Sequence, residues 1–221
     1  HATDLILPGG ANITTAAGDE AEFIEYASGD YRCTNYSKAT GKAVVASHSA
    51  TIGLQTIWVP STAMTPTDDS GCESLTSAET QAGRPDMIVL DFPVSEDKFA
   101  QFQVAFPKSW NEGVIKFQVF WCSTATDTDA VNWTLQGVSV PDNSTIDVAY
   151  GTAVDVDDLN QSTAEEMLVS PLSADLTIAS AAVDTVTFFR IGRDVSEGTA
   201  AEDARLLGVK LFFTTDAEND D

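Results

Sequence analysis

The chain has 221 residues, 34 of them acidic and 11 basic, for a net charge of −23 and a hydrophobic fraction of 43%. That length suits one large domain with a small appendage, and the charge excludes recognition of a phosphate backbone, which needs the opposite sign. No apolar run reaches the roughly 18 residues of a membrane span, and no charged-then-apolar leader resembles a signal peptide.

With His1 at the start and strand-like residues almost at once, the sequence reads as a processed end or the truncated edge of something longer. Residues 1–41 form a first unit: Asp4 to Leu7 is a short strand, Pro8-Gly9-Gly10 a turn, and Glu22 to Tyr26 and Tyr31 to Ser37 are strands joined at Ser28-Gly29-Asp30, a hairpin signal. A piece of this size cannot own a core, so it needs a staple, a neighbour or identical copies. Residues 42–53 are small and polar and serve as a connection, and the main domain occupies 54–221.

In that domain Leu54 to Val59 is a strand closed by Pro60, and Thr62 to Arg84 is a polar excursion too long to be an ordinary loop. Met87 to Phe92 follows with Ile88, Leu90 and Phe92 on one face. Phe99 to Trp121 then reads as a long antiparallel hairpin, the centre of the design: Ala100, Phe102, Val104 and Phe106 alternate with polar residues, as do Ile115, Phe117, Val119 and Trp121. Pro107 to Gly113 is its turn, Asn111 and Gly113 tolerating left-handed backbone. Val131 to Val140 changes phase at Gln136-Gly137, which predicts a β-bulge. Ile146 to Tyr150 is a short strand, Asp155 to Glu166 an acidic loop, and Met167 to Val169 and Leu176 to Ile178 are weak strands. Val186 to Arg193 and Leu206 to Phe213 are strong ones, Leu207 keeping phase with Val209, Leu211 and Phe213; Asp194 to Ala204 between them has room for one helical turn. The fold class is all-β: an antiparallel, jelly-roll-like β-sandwich with a small N-terminal β-hairpin stem.

Chemistry is sparse. His1 and His48 are the only histidines and sit in no nucleophile or zinc motif. An N-terminal histidine brace, with the His1 amine and imidazole and His48 on copper, is the one sharp enzymatic idea, and nothing else in the sequence supports it. The three cysteines, Cys33, Cys72 and Cys122, cannot all pair, and they read as small buried hydrophobes, with a Cys72–Cys122 bridge open. The pairs Asp68-Asp69, Asp157-Asp158, Glu165-Glu166 and Glu202-Asp203 are weak evidence for glycosidase chemistry because neighbours on a strand point to opposite faces. Calcium is the more reasonable use of such loops, with Asp194, Glu197, Glu202 and Asp203 as one candidate group and a solvated surface as the simpler account. Of the tryptophans, Trp121 and Trp133 read as core, while Trp110 sits at the predicted turn, open to a glycan or an adjacent subunit. The sequons at Asn12, Asn35, Asn132, Asn143 and Asn160 are discounted, Asn132 falling in a buried strand. The sequence therefore assigns no catalytic, metal or cofactor-binding residue and no cofactor.

Two stretches carry a resemblance. PGGANITTAAGDEAEFIEYASGDYRCTNYSKATG, from Pro8 to Gly41, resembles a segment in fibre and appendage proteins of tailed bacteriophages. The phrases WVPSTAMTPT, DFPVSEDKFAQFQVAFPKSWNEG, AYGTAV and DARLLGVKLFFTTDAEND resemble a C-terminal domain of virion proteins from marine and environmental phages. The resemblance implies a structural role in the assembled, extracellular virion, in a tail fibre, appendage or head decoration. It also implies a homotrimer with other virion proteins as partners, and a host-surface glycan as ligand. The alternatives are a secreted carbohydrate-binding module without catalysis and the copper oxygenase.

Overall fold

The computed structural model describes residues 5–7, 15–40 and 53–217. His1, His48, Ile13, Asn12 and the turn at residues 8–10 lie outside the described residues. The chain divides into two compact units, His1–Thr51 and Ile52–Asp221.

The first unit is a three-stranded sheet. Strand β2 (Glu20–Ala27) pairs antiparallel with β3 (Asp30–Ser37), and the two-residue β1 (Leu5–Ile6) runs parallel along the other edge of β3. Gly29 turns the hairpin with φ +83°, a left-handed conformation that disfavours any Cβ. Every residue of β2 is exposed. Phe23 and Ile24 are adjacent, so they point to opposite faces, and each is about half exposed, at 49% and 50%. Cys33 alone is buried here among the described residues.

The second unit is a sandwich of two sheets. Its strands are β4 (Leu54–Pro60), β5 (Thr65–Pro66), β6 (Thr76–Glu79), β7 (Asp86–Phe92), β8 (Lys98–Val104), β9 (Lys116–Ser123), β10 (Ala130–Val140), β11 (Val154–Leu159), β12 (Leu168–Val169), β13 (Val186–Asp194) and β14 (Ala204–Thr214). One sheet has the order β11-β10-β13-β8-β5; the other runs β12-β9-β14-β7-β6, with β4 also on β14. All of these neighbours are antiparallel. Inner-face residues of both sheets share one cluster that includes Phe92, Phe117, Trp121, Trp133, Leu135, Phe189, Ile191 and Leu211. Aromatic rings meet across it, Trp121 against Trp133 at 6.0 Å and Phe92 against Trp133 at 5.2 Å, both edge to face. The β-sandwich expected from alternation is the observed architecture of this unit.

Several local expectations are corrected. Phe99 to Trp121 is not a hairpin: β8 pairs with β13 and β5 in one sheet, and β9 with β14 and β12 in the other. Two strands with one apolar face each can meet face to face as well as edge to edge, and here residues 105–115 cross the sandwich. Phe106, Trp110 and Ile115 plug that end, Phe106 stacking on Trp110 at 4.4 Å, and the left-handed residue is Glu112, φ +55°, rather than Asn111 or Gly113.

No bulge occurs at Gln136-Gly137, where β10 keeps unbroken register with β13. Gly137 faces inward because a Cβ there would meet the Phe189 ring at 2.8 Å, and Ser139 faces inward because its hydroxyl pairs with that of Thr187 at 2.7 Å. The bulge lies instead in β14, between Leu206 and Gly208. Leu206 is therefore the core residue and Leu207 the extra one.

Finally, Asp155 to Leu159 belongs to a strand, β11. Its acidic sequence masks an inward, buried Val156 and a half-buried Asp158. Residues 146–150 and 195–203 form neither strand nor helix, and Leu176 and Ala179 make only isolated bridges.

Candidate ligand-binding face

The unbroken register of β10 has a consequence on the outside of its sheet. Residues that alternate with the buried Trp133, Leu135, Phe189 and Ile191 form rows across neighbouring strands. Thr134 lies opposite Gly192, and Gly192 opposite Phe99; Gln136 lies opposite Arg190, and Arg190 opposite Gln101; Val138 lies opposite Phe188, and Phe188 opposite Gln103. The face thus offers amides, one cation and aromatic rings in adjacent rows.

Arg190 is its centre. The guanidinium carbon stands 4.4 Å from the Phe99 ring centroid and 5.3 Å from that of Tyr150. With the Gln136 amide turned oxygen-inward, Nη2 and Nε of Arg190 donate to it at 2.7 and 2.8 Å. Phe99 can lie over the sheet because Gly192 has no side chain: a Cβ there would be 2.6 Å from the ring. Burial pushes the Tyr150 hydroxyl above its ordinary pKa, and the adjacent Arg190 charge opposes the rise.

Along the same face, a groove of about 570 Å³ is lined by Gln103, Phe188, Val140, Val186, Ile146 and Asn143 among others. Val140 and Val186 reach it because β10 has no bulge, and Ile146 is 68% exposed. On the far side of Arg190, Asn132 is buried and donates to Asp157 at 2.9 Å.

The tryptophans exchange roles relative to expectation. Trp121 and Trp133 are core, as read from alternation, but Trp110 is only 2% exposed and the exposed one is Trp58, at 49%. Trp58 lies on the outside of the other sheet, edge-on to Phe120 at 4.9 Å and over Gly208, whose hypothetical Cβ would come within 2.5 Å of the indole. An aromatic side chain covering a cross-strand glycine repairs the gap that the glycine leaves, which accounts for Trp58 without a ligand.

The acidic candidates disperse. Asp194 accepts from the Ser196 hydroxyl and the Ser196 and Glu197 amides of its own loop, which hold its carboxyl below the ordinary range. Asp203 accepts from the Val94 amide and, with Glu202, Asp91 and Arg205, lines a separate polar pocket of about 300 Å³. Among the described residues no group of three or more His, Cys, Asp or Glu is arranged to hold a metal. Asp157 and Asp158 point to opposite faces: Asp157 receives Asn132, and Asp158 receives the Trp121 indole N–H at 2.7 Å inside the sandwich. All three cysteines are free and buried, so the Cys72–Cys122 bridge is absent; burial pushes the thiols of Cys72 and Cys122 up to about 12 and about 11. Of the sequons, Asn132 and Asn160 are buried.

No family model matches the chain, and no curated protein does. Among solved structures, the CBM22-1–GH10 modules of Clostridium thermocellum endo-1,4-β-D-xylanase 10B, complexed with xylohexaose, are 17% identical with a TM-score of 0.43, the match covering 75% of this chain and 29% of that one. CBM35 from Cellvibrio japonicus Abf62 is 8% identical with a TM-score of 0.39, covering 74% and 99%. The family 11 carbohydrate-binding module of C. thermocellum, with a mixed-linked tetrasaccharide, is 6% identical with a TM-score of 0.36, covering 72% and 95%.

Proposed function

We propose that the sandwich is a non-catalytic carbohydrate-binding module that holds its glycan on the face centred on Arg190. One observation carries the reading: a rigid sheet presents Gln101, Gln103, Gln136 and Arg190 as hydrogen-bonding groups beside the rings of Phe99, Tyr150 and Phe188, with a groove continuing the same face. Sugars need this mixture, since their hydroxyls both donate and accept while their C–H faces are apolar. Affinity electrophoresis of the full chain against a panel of neutral and acidic polysaccharides tests it. Retardation by at least one polymer, reduced in Tyr150→Ala and in the double variant Gln101→Ala/Gln103→Ala but kept in Trp58→Ala, is expected. No retardation by any polymer, or loss only in Trp58→Ala, would refute the assignment.

A second reading sets the module in a larger assembly: a self-associating virion fibre, appendage or decoration protein that displays the sandwich to host-surface glycans. The observation favouring it is the first unit, where Phe23, Ile24, Tyr26 and Tyr31 are 45–50% exposed over both faces of one small sheet. Identical neighbours would cover those faces, and a closed ring of them would also satisfy sheet edges. The trimer rests on the resemblance to phage fibres. Light scattering that gives a single-chain mass for the intact protein would remove this reading and leave the first untouched.

A further inference from the structure

We infer that the face selects acidic sugars, with Arg190 receiving the carboxylate of a uronate residue. This rests on the carbohydrate-binding reading above and names the ligand class for that site. The observation behind it is a missing ion pair. In a chain of net charge −23, Lys98, Lys116 and Arg205 each have a carboxylate within 3.5 Å, and buried Arg193 donates to the carbonyls of Phe92, Ala200 and Glu202; Arg32, Lys38, Arg84, Lys108 and Lys210 share with Arg190 the lack of an ion pair among the described residues, but none of them is also clamped by a neutral amide between two rings. Arg190 has neither arrangement among the described residues. Its side edge, Nε and Nη2, is held by the neutral amide of Gln136, and its faces by Phe99 and Tyr150. Asp155 on the same face sits beyond Thr134 and makes no ion pair with it.

That arrangement fixes the guanidinium plane while, among the described residues, leaving its charge without an ion pair and its end edge, Nη1 with the second N–H of Nη2, without an acceptor. An end edge of two parallel N–H groups matches the two oxygens of a carboxylate. Gln101, the exposed cross-strand neighbour of Arg190, stands ready for an adjacent hydroxyl. The surrounding negative charge argues for a single carboxylate held at short range rather than a densely sulfated chain, which the long-range field would repel.

The test runs the full chain through gels containing polygalacturonate, alginate or hyaluronan, each beside its methyl ester, and beside a panel of neutral polysaccharides. Retardation by at least one acid form is expected, with the ester weaker by about tenfold or more, the size of losing one charged hydrogen-bonded contact. Arg190→Gln should bind the acid form no better than the ester, and Arg190→Lys should recover part of the difference, circular dichroism showing both folded. If Arg190→Gln fails to fold, the acid-to-ester ratio of the native chain decides alone. Equal binding of acid and ester, or binding confined to neutral polymers, overturns the uronate assignment and leaves the carbohydrate reading standing. Binding to no polymer overturns both.

Discussion

The two units are built from the same sequence signals and come out differently. Both have alternating strands with aromatic residues and a glycine where the chain turns. In the sandwich, Phe117, Trp121, Trp133 and Phe189 are wholly buried, whereas in the N-terminal sheet β2 is exposed at every position. Alternation says that a strand has two faces, not that either is covered. Covering takes a second layer, and about 170 residues can supply one where about 50 cannot.

The comparison breaks most readily at a ring. Phe117→Ala removes a fully buried side chain and should cost about 3–5 kcal/mol of sandwich stability. Phe23→Ala, with half its surface already in water in the isolated chain, should cost that chain less than about 1 kcal/mol. Denaturant titration measures both. A large loss for Phe23 in a monomeric protein would mean that its face is covered after all.

These examples also mark what could be read from the sequence. The sandwich class, most strand positions and the core roles of Trp121 and Trp133 follow from period-two patterning, a local property. Which strands pair does not: β8 and β9 looked like a hairpin because nothing local distinguishes a tight reversal from a crossover between sheets. The face around Arg190 is hidden from a local reading for a similar reason. Gln101, Gln136 and Arg190 lie far apart in sequence, and only the register of β8, β10 and β13 gathers them, while Tyr150 joins from the loop after β10. The phase of Val138 and Val140 fits either a bulge or an outward apolar pair, and the unbroken register of β10 makes it the second. Trp110 is buried because the segment that carries it is a plug at the end of the sandwich, not an exposed turn.

Glycines sharpen the contrast on a smaller scale. A Cβ on Gly208 would meet the Val59 carbonyl at 2.7 Å as well as the Trp58 ring, so Gly208→Ala should cost about 1–3 kcal/mol through overpacking. Gly29 has no atom within 4 Å of such a Cβ. Its φ of +83° alone sets the cost of Gly29→Ala, about 1 kcal/mol. Relief of the Gly208 defect by Trp58→Ala would be limited, because the backbone oxygen remains.

Acid should move the two units in opposite directions. In the sandwich, burial raises the carboxyls of Asp91 and Asp158 above 3.8, although Arg205 opposes the first and the Trp121 N–H the second. Carboxyls raised on folding contribute stability in their protonated form, so acidification from neutral pH through their folded pKa values strengthens the sandwich. Asp194 acts against this only below about its ordinary 3.8. In the N-terminal sheet, hydrogen bonds from the Tyr36 hydroxyl and the Ala39 and Ala16 amides lower Asp19. Its contribution is present above 3.8 and is lost as pH falls through the lower folded value. All four tryptophans lie in the sandwich unit, so their fluorescence follows that unit, while the Tyr36 ring resonances follow the other. Parallel loss of both signals from pH 7 downward would contradict the separation.

The smallest expected effect is on the sandwich when residues 1–51 are removed. Its cluster is closed by its own two sheets, and the cross-sheet contacts of Trp133 with Trp121 and Phe92 involve no residue before Ile52. The outer edge at β4 is likewise held by β14, through register from Pro60–Gly208 to Leu54–Thr214. Denaturation of a chain starting at Ile52, followed by tryptophan fluorescence, should therefore match the full protein within about 0.5 kcal/mol, the usual scatter of a change outside the core. Its binding to polysaccharide should be equally unchanged, since Arg190, Phe99, Tyr150 and the glutamines all follow residue 52. Mass should change if the first unit drives association, falling from that of an oligomer to that of a single chain. A loss of more than about 1 kcal/mol would instead mean that the sandwich draws stability from the N-terminal residues. The size argument separating the two units would then fail at the larger one, where it is strongest.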